Sequence, residues 1–175
     1  RQADYRIEGP LTSSYSLALV NRELGLALAQ AGKHVELRSM EGQIGQFLPD
    51  EEFLGKNESV AKLMAQSPHS MIEAQPADVC LRDMFPPRTD DIRAANIKGL
   101  SCYAWEETGV PSAYIEAMNR SLDIITVISN HVGKILKDNG RPFTLDELTE
   151  KLRVFTKNKF TSKNVSLLFL DSFYI

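Results

Sequence analysis

Cysteine is scarce and long apolar runs are missing. Only Cys80 and Cys102 occur in 175 residues, too few for a disulfide framework. Both fall in strand-like segments, which predicts buried, reduced thiols and a cytoplasmic protein. No stretch approaches the ~18 apolar residues of a membrane helix. CxxC, HExxH and any clustered His/Cys/Asp set are lacking, so a metal site has no ligands at workable spacing. GxSxG, the phosphate loop GxxxxGK[ST] and GxGxxG are lacking too, which removes several enzyme classes at motif level. There is no excess of positive charge. The 20 Lys and Arg face 23 Asp and Glu, for a net charge of −3, and this argues against nucleic acid as the main partner. No repeat and no secretory leader is visible, and the first residue is Arg1 rather than Met, as in a fragment.

What remains is ordinary globular composition, 43 % hydrophobic and 25 % charged, at a length that suits one domain. Residues 4–8 alternate as a strand, and Gly9-Pro10 ends it. From Leu17 apolar residues recur at helical spacing (Leu17, Val20, Leu24, Leu28, Ala31), with Ser14 or Ser16 as cap and Gly32 as stop. His34 to Ser39 is a second strand. Strand, helix and strand within about forty residues form a βαβ unit and predict a parallel sheet. Residues 40–56 read as an irregular excursion. A short helix then follows Asn57, with Val60, Leu63 and Met64 on one face. Ala77 to Phe85 and Ile97 to Trp105 are strands. Ser112 to Arg120 is helical. Ile124 to Ile128 is a continuous apolar strand covered on both sides. A helix capped by Ser129 or Asn130 runs to Asp138. The fold class is therefore α/β, a Rossmann-like doubly wound and mainly parallel sheet. Tyr5, Val35, Val79, Tyr103 and Val127 should lie on neighbouring strands.

Ligands of such sheets sit outside the carboxyl ends of the strands. The loop Gly9, Pro10, Leu11, Thr12, Ser13, Ser14, Tyr15 precedes a helix whose first N–H groups suit phosphate; it is equally a strand–turn–helix with a serine cap. Arg82 and Arg88 bracket Asp83 to Pro87. Guanidinium forks suit phosphate and carboxylate, and the plainer reading pairs them with Asp83, Asp90 or Asp91. Trp105, the single tryptophan, stands beside Glu106 and Glu107 at a strand end, an arrangement able to stack and hydrogen-bond a sugar ring. Otherwise Trp105 plugs the core and the two acids form a solvated turn. His131 opens a helix at another strand end, where a lone histidine is more often structural.

The stretches Ile7 to Glu23 (IEGPLTSSYSLALVNRE), Ala31 to Val35 (AGKHV), Arg82 to Arg88 (RDMFPPR), Tyr103 to Pro111 (YAWEETGVP), Thr126 to Val132 (TVISNHV) and Asp138 to Gly140 resemble, in that order, the opening domain of GT-B glycosyltransferases of the "group 1" type, family four. The resemblance spans about residues 4–140. It implies the N-terminal, acceptor-side Rossmann-like domain of an enzyme that moves a sugar from a nucleotide-sugar to an acceptor hydroxyl with retention and without a metal or other cofactor. It also implies a substrate-binding edge made of Gly9, Pro10, Ser13, Ser14, Tyr15, Arg82, Trp105, Glu106 and Glu107, with a sugar or glycan acceptor and a nucleotide-sugar as partners. The family's donor-binding domain has no counterpart in these 175 residues. Its absence implies a truncated enzyme with a surface open to self-association. The alternative is a non-enzymatic α/β ligand-binding or interaction module on the same fold. Residues 141–175 depart from the family. Thr144 to Glu147 is a capping box opening a helix to about Arg153, and Val165 to Leu170 reads as a last strand that could complete the sheet.

Overall fold

The computed structural model describes residues 2–42, 48–68 and 74–140; the expected tail helix and strand of 141–175 lie outside the described residues. The elements are β1 (Tyr5–Gly9), α1 (Ser16–Gln30), β2 (Val35–Ser39), α2 (Glu51–Lys56), α3 (Glu58–Ala65), β3 (Ala77–Arg82), β4 (Ala95–Tyr103), α4 (Ser112–Ser121), β5 (Ile124–Val127) and α5 (Asn130–Asp138). They form an α/β, Rossmann-like fold on a five-stranded sheet of order β2-β1-β3-β4-β5, with every pairing parallel. The expected neighbours meet: Tyr5 is in register with Val35 and Val79, and Tyr103 with Val127.

Side chains alternate across a strand, so the register fixes which residues share a face. Leu37, Ile7, Leu81, Gly99 and Ile124 form one row across all five strands. On that face Ile7, Leu37, Leu81 and Ile124 join Val60 and Leu63 of α3 in one apolar cluster, against which Leu24 and Leu28 of α1 pack. The opposite row is Arg38, Glu8, Arg82, Leu100 and Ile125. Its apolar half packs with Ile115 and Met118 of α4 and with Val132, Ile135 and Leu136 of α5. Its other half is charged. Arg6 reaches Glu36 (2.8 Å) and the carbonyl of Ala94 (2.6 Å), while Arg82 reaches Glu8 (3.0 Å). The second face of the sheet is thus apolar over β4 and β5 and ionic over β2, β1 and β3.

Several expectations need correction. The buried line of α1 is not the leucine stripe but Ala18, Asn21 and Gly25, because small residues let the helix axis approach the sheet. A Cβ on Gly25 would stand 2.5 Å from Leu37 Cδ2. Neither Ser14 nor Ser16 caps α1; its N-cap is Tyr15, with no side-chain cap bond. Gly32, at φ +79°, does turn the chain out of the helix. Within the supposed irregular excursion, Glu51–Lys56 is helical, and the Asp50 carboxylate accepts from Phe53 N (3.1 Å); residues 43–47 lie outside the described residues. β3 stops at Arg82 and β4 at Tyr103, short of Phe85 and Trp105. Ile128 is exposed rather than part of a doubly covered strand. Both cysteines are free, but only Cys80 is buried; Cys102 is half-exposed.

Gly9 is the tightest point of the assembly. A Cβ there would lie 2.3 Å from Asn21 Nδ2 on α1 and 2.3 Å from the carbonyl oxygen of Asp83. One of those atoms is backbone and cannot turn aside. Gly9→Ala should therefore cost about 1–3 kcal/mol or more, read as a lower urea midpoint. Gly55→Ala, in α2 with nothing within 4 Å, should leave the midpoint unchanged or raise it slightly.

Candidate functional site

The strand order reverses between β1 and β3: the chain leaves β1 for β2 on one side and returns to β3 on the other. In a parallel sheet that reversal opens a crevice at the carboxyl ends. Here the reversal lies where β1 ends in Gly9 and β3 ends in Arg82. Gly9 is in register with Ser39, and Asp83 N donates to Glu8 O (3.0 Å). One step further along the strands come Ser39, Gly9, Asp83 and Ser101, on the face of Leu37, Ile7, Leu81 and Gly99. Immediately beyond Ser101 the β4–β5 register shifts, and Cys102 adopts a left-handed conformation at φ +53°, an uncommon one for a residue with a side chain. Its N–H donates to Thr126 Oγ1 (3.0 Å).

Asn21 ties helix to sheet at this point, donating through Nδ2 to Pro10 O (3.1 Å) and Asp83 O (3.0 Å). Three buried oxygens here have no hydrogen-bond partner among the described residues: Asn21 Oδ1, Asp83 Oδ2 and Ser101 Oγ. Burial pushes the Asp83 carboxyl from its ordinary value of 3.8 up to about 7. Burial, with the Asp83 charge adding to it, pushes the Cys102 thiol up to about 11, so Cys102 is not a thiolate nucleophile at neutral pH.

The sequence-derived residues separate into those facing solvent and those committed inside. Ser14, Glu106 and Glu107 are exposed, and Tyr15 at 39 % and Phe85 at 51 % exposure stand on the loops that leave the adjacent strands β1 and β3. Gly9 and Pro10 are buried. Ser13 is half-buried, its Oγ without a described partner. Arg82 is fully buried; its guanidinium is held by Glu8, by Asp91 and by the carbonyl of Arg88 (2.9 Å). It is a strut of the fold, not an open phosphate fork. Arg88 pairs with the same Asp91. Trp105 is half-buried, stacked on Tyr103 at 6.3 Å with 10° between the planes and edge-on to Tyr114. Its Nε1 donates to Gly109 O (3.0 Å). The ring is an internal brace, and Glu106 and Glu107 form the solvated turn beside it. Asn139 secures that turn, accepting from Val110 N (3.1 Å) and donating to Thr108 O (2.9 Å). His131 is exposed in the first turn of α5.

The first loop holds a group that the sequence reading missed. Glu41, just past β2, is buried. It accepts from Thr12 N (2.9 and 3.0 Å), Thr12 Oγ1 (2.8 Å), Ser13 N (2.8 Å) and Ser39 Oγ (2.9 Å). Burial alone would raise its pKa, but those bonds outweigh it and hold the carboxyl below its ordinary range. The amides of Thr12 and Ser13, in the loop before α1, are thus engaged by a carboxylate from the same chain. Glu41 carries no motif that would mark it. Asn21 and Asp83 had a faint signal, a polar residue in the small line of α1 and an acid directly after a strand.

Among the described residues no group of three or more His, Cys, Asp or Glu could hold a metal ion, and no helix is long and apolar enough to cross a membrane. The fold is a Rossmann-like α/β sheet with buried polar side chains at its switch point. The chain matches no protein-family model, no curated protein and no solved structure.

Two predictions come from these buried charges. Removing Arg82 leaves the fully buried Glu8 with Arg38 as its remaining cationic partner, so Arg82→Ala should destabilise the fold by about 3–5 kcal/mol in chemical denaturation. The second concerns Asp83. Its pKa is higher folded than unfolded, so the native state holds an extra proton between about pH 4 and pH 7 and loses stability as pH rises through that window. Asp83→Asn removes this penalty. The variant's melting temperature should exceed the wild type's at pH 8, and the gap should close towards pH 5.

Proposed function

We propose that the chain is the acceptor-side half of a two-domain, retaining glycosyltransferase of the family it resembles. It binds a sugar or glycan acceptor at the carboxyl edge of the sheet, opposite a nucleotide-sugar held elsewhere. The observation that carries the reading is the switch-point edge itself. Tyr15 and Phe85 are exposed on the loops that leave β1 and β3, and Asp83, directly after β3, carries a buried oxygen without a partner among the described residues. Aromatic faces take sugar C–H groups and a few convergent polar atoms take hydroxyls.

The 175 residues by themselves bind without turning over. Retaining transfer needs the departing nucleoside diphosphate stabilised as charge develops, usually the largest catalytic contribution. Removing one such group typically costs on the order of 10²–10³ in rate. Here Arg82 and Arg88 are engaged by Asp91, and the amides of Thr12 and Ser13 by Glu41. These same commitments favour the second reading, a binding module without catalysis.

The test is to incubate the purified chain with a panel of nucleotide-sugars and to measure saturation transfer to free hexoses. Nucleoside diphosphate release should not rise above buffer. Hexose signals should be seen with the wild type and lost in a Tyr15→Ala, Phe85→Ala double variant. Release above buffer would defeat the half-enzyme reading, and hexoses unaffected by the wild type would defeat the sugar-binding one.

A further inference from the structure

We infer that the β1–α1 loop is a small-oxyanion cradle whose resident ligand is the chain's own Glu41 carboxylate, and that it takes an external carboxylate once that side chain is removed. The inference does not rest on the sugar-transfer reading. The carboxylate is gripped as a bound ligand would be. Two backbone N–H groups and two hydroxyls converge on its oxygens at 2.8–3.0 Å. These donors are all neutral, as in sites that hold anions through backbone dipoles.

The cradle is shaped by contacts other than those to Glu41. Asn21 holds Pro10 O. Asp50 N donates to Thr12 Oγ1 (2.7 Å). Arg22 Nη1 donates to Leu11 O (2.8 Å) and Ser13 O (2.9 Å), and its guanidinium lies 4.5 Å from the Phe53 ring centroid. The contact with Leu11 O is informative because that carbonyl shares a peptide group with the Thr12 N–H. A cation on the oxygen polarises the peptide and strengthens the N–H donated to Glu41, a charge pair relayed through one amide. Loss of Glu41 therefore leaves preorganised, buried donors with nothing to bond, a costly state that a carboxylate of formate or acetate size relieves. Ser13 Oγ, buried without a partner among the described residues, adds hydrogen-bonding capacity at the same loop.

The experiment compares wild type, Glu41→Ala and Glu41→Gln in sodium acetate and in sodium chloride at equal ionic strength. Acetate should raise the melting temperature of Glu41→Ala, relative to chloride, by about 2–4 °C for each kcal/mol of linkage. The rise should grow with concentration, and acetate should shift the amide resonances of Thr12 and Ser13 in that variant. Wild type and Glu41→Gln, whose side chains still fill the cradle, should not distinguish the two salts. Equal melting in both salts for Glu41→Ala would overturn the inference, as would an equal acetate response in wild type. So would amide shifts away from residues 12 and 13. Should Glu41→Ala fail to fold in chloride, acetate should restore folding; an unfolded variant in both salts would overturn the inference too.

Discussion

The pair Glu8 and Arg82 sits at the centre of this molecule. The two residues are in register on adjacent central strands, both fully buried, and they link through the guanidinium Nε and Nη2. Two charges taken out of water are costly unless their remaining bonding capacity is met. Here it is met from three directions. Arg38 reaches Glu8 from β2 (3.1 Å), and Asp91 and the carbonyl of Arg88 reach Arg82 from the loop after β3. That demand brings the segment from Asp83 to Ala94 over the ionic half of the sheet. Arg6, Glu36 and Ala94 repeat the pattern one layer towards the amino ends of the strands.

The same economy of internal partners shapes the functional edge. The loops after β1 and β3 offer the groups a phosphate-binding protein would use, and the chain has applied most of them to itself. Arg82 is inside, Arg88 is paired, and the amides of Thr12 and Ser13 hold Glu41. Outward stand Ser14, Tyr15, Phe85, Glu106, Glu107 and His131. Asp83, Ser101 and Asn21 each hold a buried oxygen without a partner among the described residues.

Much of the scaffold was legible because its signals are local. Alternation marked β1 and a continuous apolar run marked β5, Gly9-Pro10 and Gly32 marked stops, and Ser129 capped α5 as expected, its Oγ accepting from Val132 N (3.3 Å). Where the reading failed, a contact from distant sequence decided the outcome. The leucines of α1 look like its buried stripe, yet Ala18, Asn21 and Gly25 face inward, because closeness to Gly9 and Leu37 favours small side chains. Arg82 looks like a ligand fork, yet Glu8, 74 residues away, occupies it.

By itself the sequence determined the α/β class and the parallel sheet, since periodicity and turn chemistry act over a few residues. Only the tertiary structure decided which polar groups at that edge are already bonded. A hydrogen bond or ion pair is a matter of three-dimensional proximity. Glu41 meets Thr12 across 29 positions, and Asn21 meets Asp83 across 62. No local pattern carries information about a partner brought near by the folding of the sheet.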